Sequence, residues 1–173
     1  LHYLPQGFAV HIAGNTGLRI VDNFCTGEEA SYLISMARDQ LSKSKVIIDG
    51  RPVDDRGRTS SHAVAFHRHH QDSHVLPIIT RGAMLAGVPA DHAEQVYVSR
   101  YADGEFYHGH YDFADGFLTD HRLCTMLIYL NDLNPEQGGA TYFKDLNIAV
   151  QPKLGRAVIW SNMNPDGTKH LET

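Results

Sequence analysis

His110 and Asp112, a histidine and an aspartate two residues apart, are the residues of this sequence best suited to do chemistry. The segment around them is otherwise typical of a β-strand. Because residues i and i+2 of a strand point to the same face, the two side chains can bind one metal ion together. An imidazole and a carboxylate are two corners of a facial triad of two histidines and one carboxylate. The spacing therefore predicts two of three metal ligands.

The same spacing occurs a second time, at His70 and Asp72, in a sequence that contains 12 histidines. That copy lies in a polar, histidine-rich run just before a predicted helix, so Asp72 is interpreted as a helix N-cap. Glycines and aromatic residues surround the first copy instead, and long apolar strands follow it. The remaining histidines of the second region are interpreted as parts of a solvated loop: His62, His67, His69, His70 and His74.

Size and composition indicate an ordinary globular protein. The 173 residues are 42% hydrophobic and 20% charged, which predicts one domain, 1–173, with a sizeable core. No apolar run reaches the roughly 18 residues of a membrane span, and the N-terminus lacks a signal-peptide pattern. We therefore expect no association with a membrane, and we favour a cytoplasmic location. The net charge of −5, without a Lys/Arg cluster, argues against a nucleic-acid partner.

Two helices are predicted in the first half of the chain. The first begins at a capping box, Thr26 to Glu29, with apolar residues at helical spacing behind it. The second runs from about Ser73 to Ala86, with a proline in its first turn and Gly87 after its end. Between them, residues 49–58 predict a turn and a mobile charged loop.

From Glu94 onward the pattern changes to short strands. Residues 123–130 form a nearly continuous apolar strand, consistent with burial on both faces. Further strands are predicted around 96–100 and at 140–143, 148–150 and 156–160. Helices followed by short strands with Gly and Pro turns favour an α+β fold that is mainly β. The expected architecture is a sandwich or a jelly-roll barrel with supporting N-terminal helices.

Several motifs occur in a fixed order from about Phe24 to the end of the sequence. They are Arg58-Thr-Ser60-Ser61, Glu94-Gln-Val with Arg100-Tyr101, Tyr-x-x-Gly-x-x-Tyr-x-x-His-x-Asp-Phe, Arg122-x-x-Thr-x-x-x-Tyr-Leu-Asn131, Gly138-Gly-Ala-Thr141, Gly155-Arg-Ala-Val-Ile-Trp160 and Asn164-Pro165-Asp-Gly167. In these motifs the chain resembles the prolyl 4-hydroxylase branch of the Fe(II)/2-oxoglutarate-dependent dioxygenases. The resemblance implies a double-stranded β-helix (jelly-roll) core over about 94–173, with helical support over about 24–90.

The resemblance also implies roles for individual positions. His110 and Asp112 match the first two iron ligands. The remaining positions match residues that contact 2-oxoglutarate (Tyr101, Thr141), line the substrate groove (Arg58, Ser60, Glu94) or support catalysis (Tyr107, Arg122). Structural alternatives stay open: a strand-edge charge paired with an arginine (Glu94), core aromatics (Tyr101, Tyr107), a solvated strand end (Arg122) and a simple β-former (Thr141). Trp160 is predicted to be a core residue.

The third iron ligand is expected to be a distal histidine, which in this family follows a Pro-x-Gly turn. Aligned on Pro165 to Gly167, that histidine falls two residues beyond Thr173, and the basic residue that binds the far carboxylate of 2-oxoglutarate falls later still. We therefore expect a chain shortened at its C-terminus, with its activity as given left open. His170 is an alternative third ligand, about five positions early, and a solvated loop histidine is its other interpretation.

The activity implied by the resemblance is hydroxylation of a peptidyl proline with decarboxylation of 2-oxoglutarate to succinate. It requires Fe(II), 2-oxoglutarate, O₂ and ascorbate, and a proline-containing peptide or protein as partner. The loop 49–58 is then interpreted as a lid over an extended peptide. Two alternatives are a hydroxylase of a non-proline substrate and a catalytically silent jelly-roll binding module. A zinc hydrolase is disfavoured because the sequence has no His-Glu-x-x-His.

Overall fold

The computed structural model describes residues 5–13, 16–48, 51–66, 72–113 and 122–173. His67, His69 and His70, interpreted above as loop residues, lie outside these ranges. In chain order the elements are β1 (Ala9–Ile12), β2 (Arg19–Asp22), α1 (Gly27–Ala37), β3 (Ser42–Lys43), β4 (Val46–Ile48), β5 (Arg51–Val53), β6 (Ser61–Phe66), α2 (Leu76–Ala86), β7 (Val96–Arg100), β8 (Cys124–Ile128), β9 (Thr141–Phe143), β10 (Ile148–Val150) and β11 (Ala157–Ser161). Among the described residues, no helix is long and apolar enough to cross a membrane.

Helix α1 begins as predicted. The Glu29 backbone N–H donates to Thr26 Oγ1 at 3.1 Å, and the Thr26 backbone N–H donates to Glu29 Oε2 at 2.9 Å, which completes the capping box. The Glu29 carboxylate also accepts two hydrogen bonds, at 2.7 and 2.8 Å, from the nearly buried guanidinium of Arg81 on α2. This buried ion pair fixes the start of α1 against α2.

Helix α2 begins at Leu76, three residues later than predicted. The preceding turn is closed by Asp72, whose Oδ1 accepts from the backbone N–H groups of His74 and Val75. Asp72 therefore has the capping role predicted for it, although it caps the turn before the helix. Gly87 ends the helix in the left-handed conformation, with φ of 74°, as its position after the last turn predicts.

The strands form four antiparallel groups. A four-stranded sheet has the order β1-β2-β11-β8, a three-stranded sheet has the order β3-β6-β7, and β4–β5 and β9–β10 are hairpins. Strands β1 to β6 precede α2 and were not predicted, since several are short and exposed and the first sheet pairs residues far apart in sequence. The region assigned to helical support thus contains both helices and four strands, β3 to β6.

Burial of β8 on both faces was also predicted, and both faces do pack on apolar cores: Met126 and Ile128 lie against one core and Leu127 against the other. The burial is incomplete. All five of its residues are only half-buried, and the neighbouring Leu123 is 52% exposed. The reason is that β11 pairs along one edge of β8, while the other edge has no partner strand in the part of the chain that the structure describes.

Two apolar cores lie on opposite faces of the four-stranded sheet. One packs the sheet against the helices and β7, and the other packs it against the β9–β10 hairpin. Alternate residues of β11 divide between them: Ile159 belongs to the first core, whereas Val158 and Trp160 belong to the second. Trp160 packs edge-to-face on Phe143 with ring centroids 5.2 Å apart, so its prediction as a core residue is confirmed.

Replacement of Gly155 by alanine should destabilise the fold strongly. Gly155 has φ of +77°, and a Cβ there would overlap the backbone carbonyl oxygen of Cys25. We expect a loss of about 2–5 kcal/mol in the free energy of unfolding, the sum of the left-handed strain and the overlap. Urea denaturation measures it. Gly17→Ala is the matched control, because Gly17 has φ of +74° and open space around it. An equal loss in both variants would contradict the close-approach argument.

Candidate metal centre

His110 and Asp112 lie side by side in the structure, with Nε2 of the imidazole 3.2 Å from Oδ1 of the carboxylate. They do not lie in a regular strand, as the sequence pattern had suggested. An isolated bridge joins Tyr107 to Arg58, and residues 108–113 belong to no strand in the part of the chain that the structure describes. The two side chains nevertheless lie together, as the spacing predicts.

The donor atoms fit a metal ion. His110 Nδ1 lies 2.8 Å from the backbone carbonyl of His108, so this nitrogen is the donor, and in the neutral imidazole Nε2 carries the lone pair. That lone pair faces a carboxylate oxygen, an arrangement that requires a proton or a cation between the two atoms. Two ligands about 2.1 Å from an octahedral ion, at right angles, lie about 3.0 Å apart. The observed separation of 3.2 Å agrees with that geometry.

The electrostatics of the pair favour charge at this position. Burial lowers the pKa of His110, but the hydrogen bonds to Asp112 and to the His108 carbonyl outweigh it and hold that pKa above its usual value. Burial raises the pKa of Asp112, and hydrogen bonds from His110 and Thr125 reverse the effect and hold it below its usual value. Asp112 is therefore an ionised, partly buried carboxylate at neutral pH.

Tyr107 supports the imidazole from the side. Its ring stacks on that of His110 with centroids 3.7 Å apart and planes 23° from parallel. The guanidinium carbon of Arg58 lies 4.6 Å from the centroid of the same tyrosine ring, within range of a cation–π interaction. Arg58 Nε is buried and has no hydrogen-bond partner among the described residues. The arginine is thus held beside the metal ligands with hydrogen-bonding capacity to spare.

Backbone pairing between residues 57–59 and 106–108 holds this cluster together. The Thr59 N–H donates to the Phe106 carbonyl at 3.0 Å, and the Phe106 N–H donates to Thr59 Oγ1 at 2.8 Å. The His108 N–H donates to the Gly57 carbonyl at 2.8 Å. The carbonyl that orients His110 therefore belongs to a residue whose own position is fixed by this pairing.

Ser60 lies beneath the surface and does not line a groove. It is completely buried, and its hydroxyl is 3.0 Å from that of Ser44, which is also completely buried. The Ser44 hydroxyl is in turn 3.0 Å from Nδ1 of His62. These contacts anchor the chain just after the 57–59 pairing, so the structure connects Ser60 to the site only through its neighbours.

Glu94 and Arg122 form a bidentate ion pair. Arg122 Nε donates to Glu94 Oε1 at 2.7 Å and Nη2 donates to Oε2 at 3.1 Å, with both side chains about half exposed. Glu94 is thus a charge paired with an arginine, which is the structural alternative given for it above. Such exposed pairs add only about 0–1 kcal/mol to the free energy of unfolding. Arg122 nevertheless lies close enough to Asp112 for the two charges to shift each other's pKa.

The two residues expected at 2-oxoglutarate lie in different surroundings. Tyr101 is 48% exposed, which excludes the core alternative, and it is near enough to Tyr107 to raise that residue's pKa. Thr141 is half-buried, and its Oγ1 is 2.7 Å from the hydroxyl of Tyr129, which also lies 3.0 Å from the Val150 carbonyl. Tyr101 therefore lies near Tyr107, whereas Thr141, the first residue of β9, lies beside the core residue Tyr129.

His170 does not join the metal ligands. Its Nδ1 lies 2.8 Å from Thr173 Oγ1, and its side chain lines a cavity of about 520 Å³ together with Arg19 and Cys124. No group of three or more histidine, cysteine, aspartate or glutamate side chains suited to a metal ion occurs among residues 5–13, 16–48, 51–66, 72–113 and 122–173. Among the described residues the candidate metal ligands are therefore two, His110 and Asp112.

Two residues near Asp112 were missed by the sequence reasoning. Thr125, on β8, lies near enough to the Asp112 carboxylate to lower its pKa, and its Oγ1 accepts a hydrogen bond of 2.9 Å from Asn162 Nδ2. Thr125 is one of the specified residues of the motif that begins at Arg122, and the motif was the only sequence feature that could have identified it. Nothing in the local sequence distinguishes Asn162, whose contact depends on the pairing of β11 with β8.

The sequence model of the 2OG-Fe(II) oxygenase superfamily matches residues 96–171. Probable prolyl 4-hydroxylase 3 of Arabidopsis thaliana is 34% identical over 193 residues, which cover 97% of this chain and 62% of the relative. Prolyl 4-hydroxylase 1 of the same plant is 34% identical over 167 residues, which cover 86% of this chain and 58% of the relative. The chain thus spans less than two thirds of the length of these relatives.

A solved structure has the same fold. The viral collagen prolyl hydroxylase of Paramecium Bursaria Chlorella virus-1, crystallised as a complex with 2OG, superposes with a TM-score of 0.71 at 23% identity, covering 94% of this chain and 87% of that chain. The residues described above therefore occupy a scaffold shared with a known hydroxylase.

Replacement of Asp112 by asparagine should weaken metal binding by at least about 10-fold, because it removes the anionic donor that faces His110 Nε2. Titration with Mn²⁺ measures the dissociation constant without requiring turnover. Asp72→Asn is the matched control, since Asp72 belongs to the other His-x-Asp and its carboxylate is engaged by backbone N–H groups and by Tyr32. Equal Mn²⁺ affinity in both variants would remove Asp112 from the site.

Proposed function

We propose that this chain, a homologue of the prolyl 4-hydroxylases within the 2OG-Fe(II) oxygenase superfamily, hydroxylates a prolyl residue of a peptide in a reaction that consumes 2-oxoglutarate and O₂. The observation that carries the proposal is the His110–Asp112 donor pair, 3.2 Å apart, with the Arg58–Tyr107 stack beside it. The proposed core is the double-stranded β-helix implied by the family, with β7 to β11 as its described strands.

His110 and Asp112 would hold the iron through Nε2 and Oδ1. Bound there, Fe(II) with 2-oxoglutarate supplies the oxidative decarboxylation that drives C–H hydroxylation, and ascorbate is the expected reductant. The protein's contribution is to orient the two ligands. The His108 carbonyl fixes the imidazole tautomer, Tyr107 covers one side of the ring, and Thr125 holds the carboxylate.

Tyr101 and Thr141 are the proposed contacts for 2-oxoglutarate. The hydroxyl groups of Thr141 and Tyr129 form a pair 2.7 Å apart, and Tyr129 projects to the same face of the β8 segment as Thr125. Tyr129 donates its single proton within this pair, so the Thr141 hydroxyl is left to donate one hydrogen bond to a carboxylate. The pair is therefore a recognition element for one carboxylate of the co-substrate.

Arg58 is the proposed anchor for the peptide. Its buried Nε has no partner among the described residues, and its guanidinium makes one long hydrogen bond there, 3.4 Å, from Nη1 to the Lys45 carbonyl. A guanidinium with free donors can bind the backbone carbonyl groups of a peptide, which matters for proline because its nitrogen has no hydrogen to offer. The Glu94–Arg122 pair forms a second polar rim near the metal ligands.

The β4–β5 hairpin is the proposed lid. Its residues Arg51 to Val53 are exposed, and the chain leads from it directly into Arg58 and the 57–59 pairing. Residues 49 and 50, at its turn, lie outside the described residues. A peptide bound beside Arg58 would therefore contact the hairpin, and substrate protection of Arg51 from trypsin would support this role.

A catalytically silent binding module remains the second candidate. The observation that favours it is the presence of two, and not three, protein ligands among the described residues. It would retain the fold and the peptide-binding surface, bind metal weakly and leave 2-oxoglutarate unconsumed.

The proposal is tested by incubating the protein with Fe(II), 2-oxoglutarate, ascorbate and a proline-rich peptide. We expect succinate release and the addition of one oxygen atom to a prolyl residue, seen by mass spectrometry, both absent in His110→Ala. The same peptide with every proline replaced by alanine is the control. The assay should be run on this chain and on any longer natural form that contains it. Peptide binding without succinate release in either would favour the binding module.

Replacement of Thr141 by valine should raise KM for 2-oxoglutarate about 10-fold, because it removes one hydrogen bond to a charged group at nearly constant volume. KM for the peptide and the affinity for Mn²⁺ should stay within about 2-fold of the unmodified protein. Thr80→Val, an exposed position on α2 whose hydroxyl bonds the Leu76 carbonyl, is the control. An unchanged KM for 2-oxoglutarate would remove Thr141 from the co-substrate site.

A further inference from the structure

The cavity of about 520 Å³ that His170 lines is separate from the candidate metal centre. Cys124 and Thr125 are consecutive residues of β8, so their side chains point to opposite faces of the sheet. Cys124 lines the cavity, whereas Thr125, His110 and Asp112 do not. The cavity therefore lies on the face of β8 that is turned away from Thr125.

The register of the four-stranded sheet brings three polar side chains together at this cavity. Ser161 of β11 pairs with Cys124 of β8, and two residues earlier Ile159 pairs with Arg19 of β2. Paired residues share a face of the sheet, and so do residues i and i+2 of one strand. Arg19, Cys124 and Ser161 consequently point to the same side, and all three line the cavity.

Arg19 supplies a positive charge without a negative partner among the described residues. Its Nη1 donates to the Leu85 carbonyl at the end of α2, which is the one hydrogen bond that its guanidinium makes there. None of the ion pairs in the described ranges includes it, and no aspartate or glutamate is among the described lining residues. A guanidinium has several N–H donors in a planar fork, so those that remain suit a carboxylate.

The rest of the lining is largely apolar and comes from two directions. Ala86 and Val88 line the cavity from the end of α2, and Leu123, Met163 and Pro165 line it from the strand ends. Leu123 is 52% exposed, so its side chain is available for contact with a ligand. An apolar lining around a single cation suits a molecule that has one charged end and an apolar body.

The wall formed by residues 161–170 is held in place by backbone hydrogen bonds. The Asn164 N–H donates to the Thr168 carbonyl at 2.8 Å, and the Gly167 N–H donates to the Asn164 carbonyl at 2.9 Å. The His170 N–H donates to the carbonyl of the buried Asn162 at 2.9 Å. The cavity is therefore formed before any ligand enters it, as is usual for binding sites of small molecules.

We infer that this cavity is a second binding site of the protein, which takes a small organic carboxylate with an apolar body. Arg19 binds the carboxylate, and Val88, Leu123 and Met163 contact the body of the ligand. The site is independent of the proposed hydroxylation, because none of the candidate metal ligands lines it.

Cys124 is a reporter for occupancy of the cavity. Burial raises the pKa of its thiol and the charge of Arg19 partly offsets this, so the thiol is neutral at neutral pH. Cys124 is half-buried, whereas Cys25, the other cysteine of the sequence, is only 4% exposed. Iodoacetamide should therefore alkylate Cys124 first, and a ligand in the cavity should slow the reaction. Mass spectrometry of the digested protein identifies the modified cysteine.

The probes are benzoate and benzamide, which have nearly the same shape and differ in charge. With the metal-free protein and at equal ionic strength, benzoate should protect Cys124 at a concentration at least about 10-fold lower than benzamide, because charge-assisted hydrogen bonds to Arg19 hold only the carboxylate. Arg19→Met should remove this difference. Arg38→Met is the matched control, since Arg38 is exposed and does not line the cavity. His110→Ala should leave the protection unchanged.

Protection by benzoate that is lost in Arg19→Met and kept in His110→Ala supports the inference. Equal protection by benzoate and benzamide overturns it, as does the absence of protection by benzoate. Both results come from the unmodified protein, so they decide the matter even if urea denaturation shows that Arg19→Met does not fold. Undiminished protection in a folded Arg19→Met variant also overturns the inference, and loss of protection in His110→Ala does so by assigning benzoate to the metal centre.

Discussion

The antiparallel pairing of residues 57–59 with residues 106–108 is the constraint on which the site depends. The segment that carries His110 has no regular strand partner, so without this pairing its side chains would have no fixed direction. The pairing fixes the His108 carbonyl, which orients the imidazole, and it brings Arg58 over Tyr107. The buried contact between Ser44 and Ser60 holds the chain directly after residues 57–59. Ordinary backbone hydrogen bonds thus convert an irregular loop into a site with defined donor positions.

The parts of the structure that follow from local rules could be predicted from sequence. The start of α1 depends on four consecutive residues, and its capping box formed as the pattern requires. Gly87 ends α2 because few other residues adopt the left-handed conformation at low cost. The common face of His110 and Asp112 needs only an extended backbone between them, which survives even though the regular strand does not form. Each of these depends on interactions between residues close together in the chain.

The parts that depend on distant pairing could not be predicted in this way. β2 finds its place beside β11 across more than a hundred residues, so its short sequence carries no sign of it. A serine such as Ser60 is expected at the surface from its polarity. Its complete burial is possible because its hydroxyl hydrogen-bonds that of Ser44. Asn162 has no distinguishing neighbours in sequence and acquires its contact from the register of β11 against β8. The half-exposed state of β8 likewise reflects which strands lie beside it, a property of the whole sheet.

The two metal donors belong to parts of the molecule with different resistance to local opening. His110 is oriented by a half-exposed segment held by a few hydrogen bonds, whereas Asp112 is tied through Thr125 to the central sheet. Such regions open with different free energies, and the exposed segment opens first. In the proposed site, an ion that bridges both donors would bind only the closed form, so by mass action it would extend the cooperative unit from the sheet into the loop. Under that proposal, occupancy of the metal centre would decide how much of the proposed peptide-binding surface is formed.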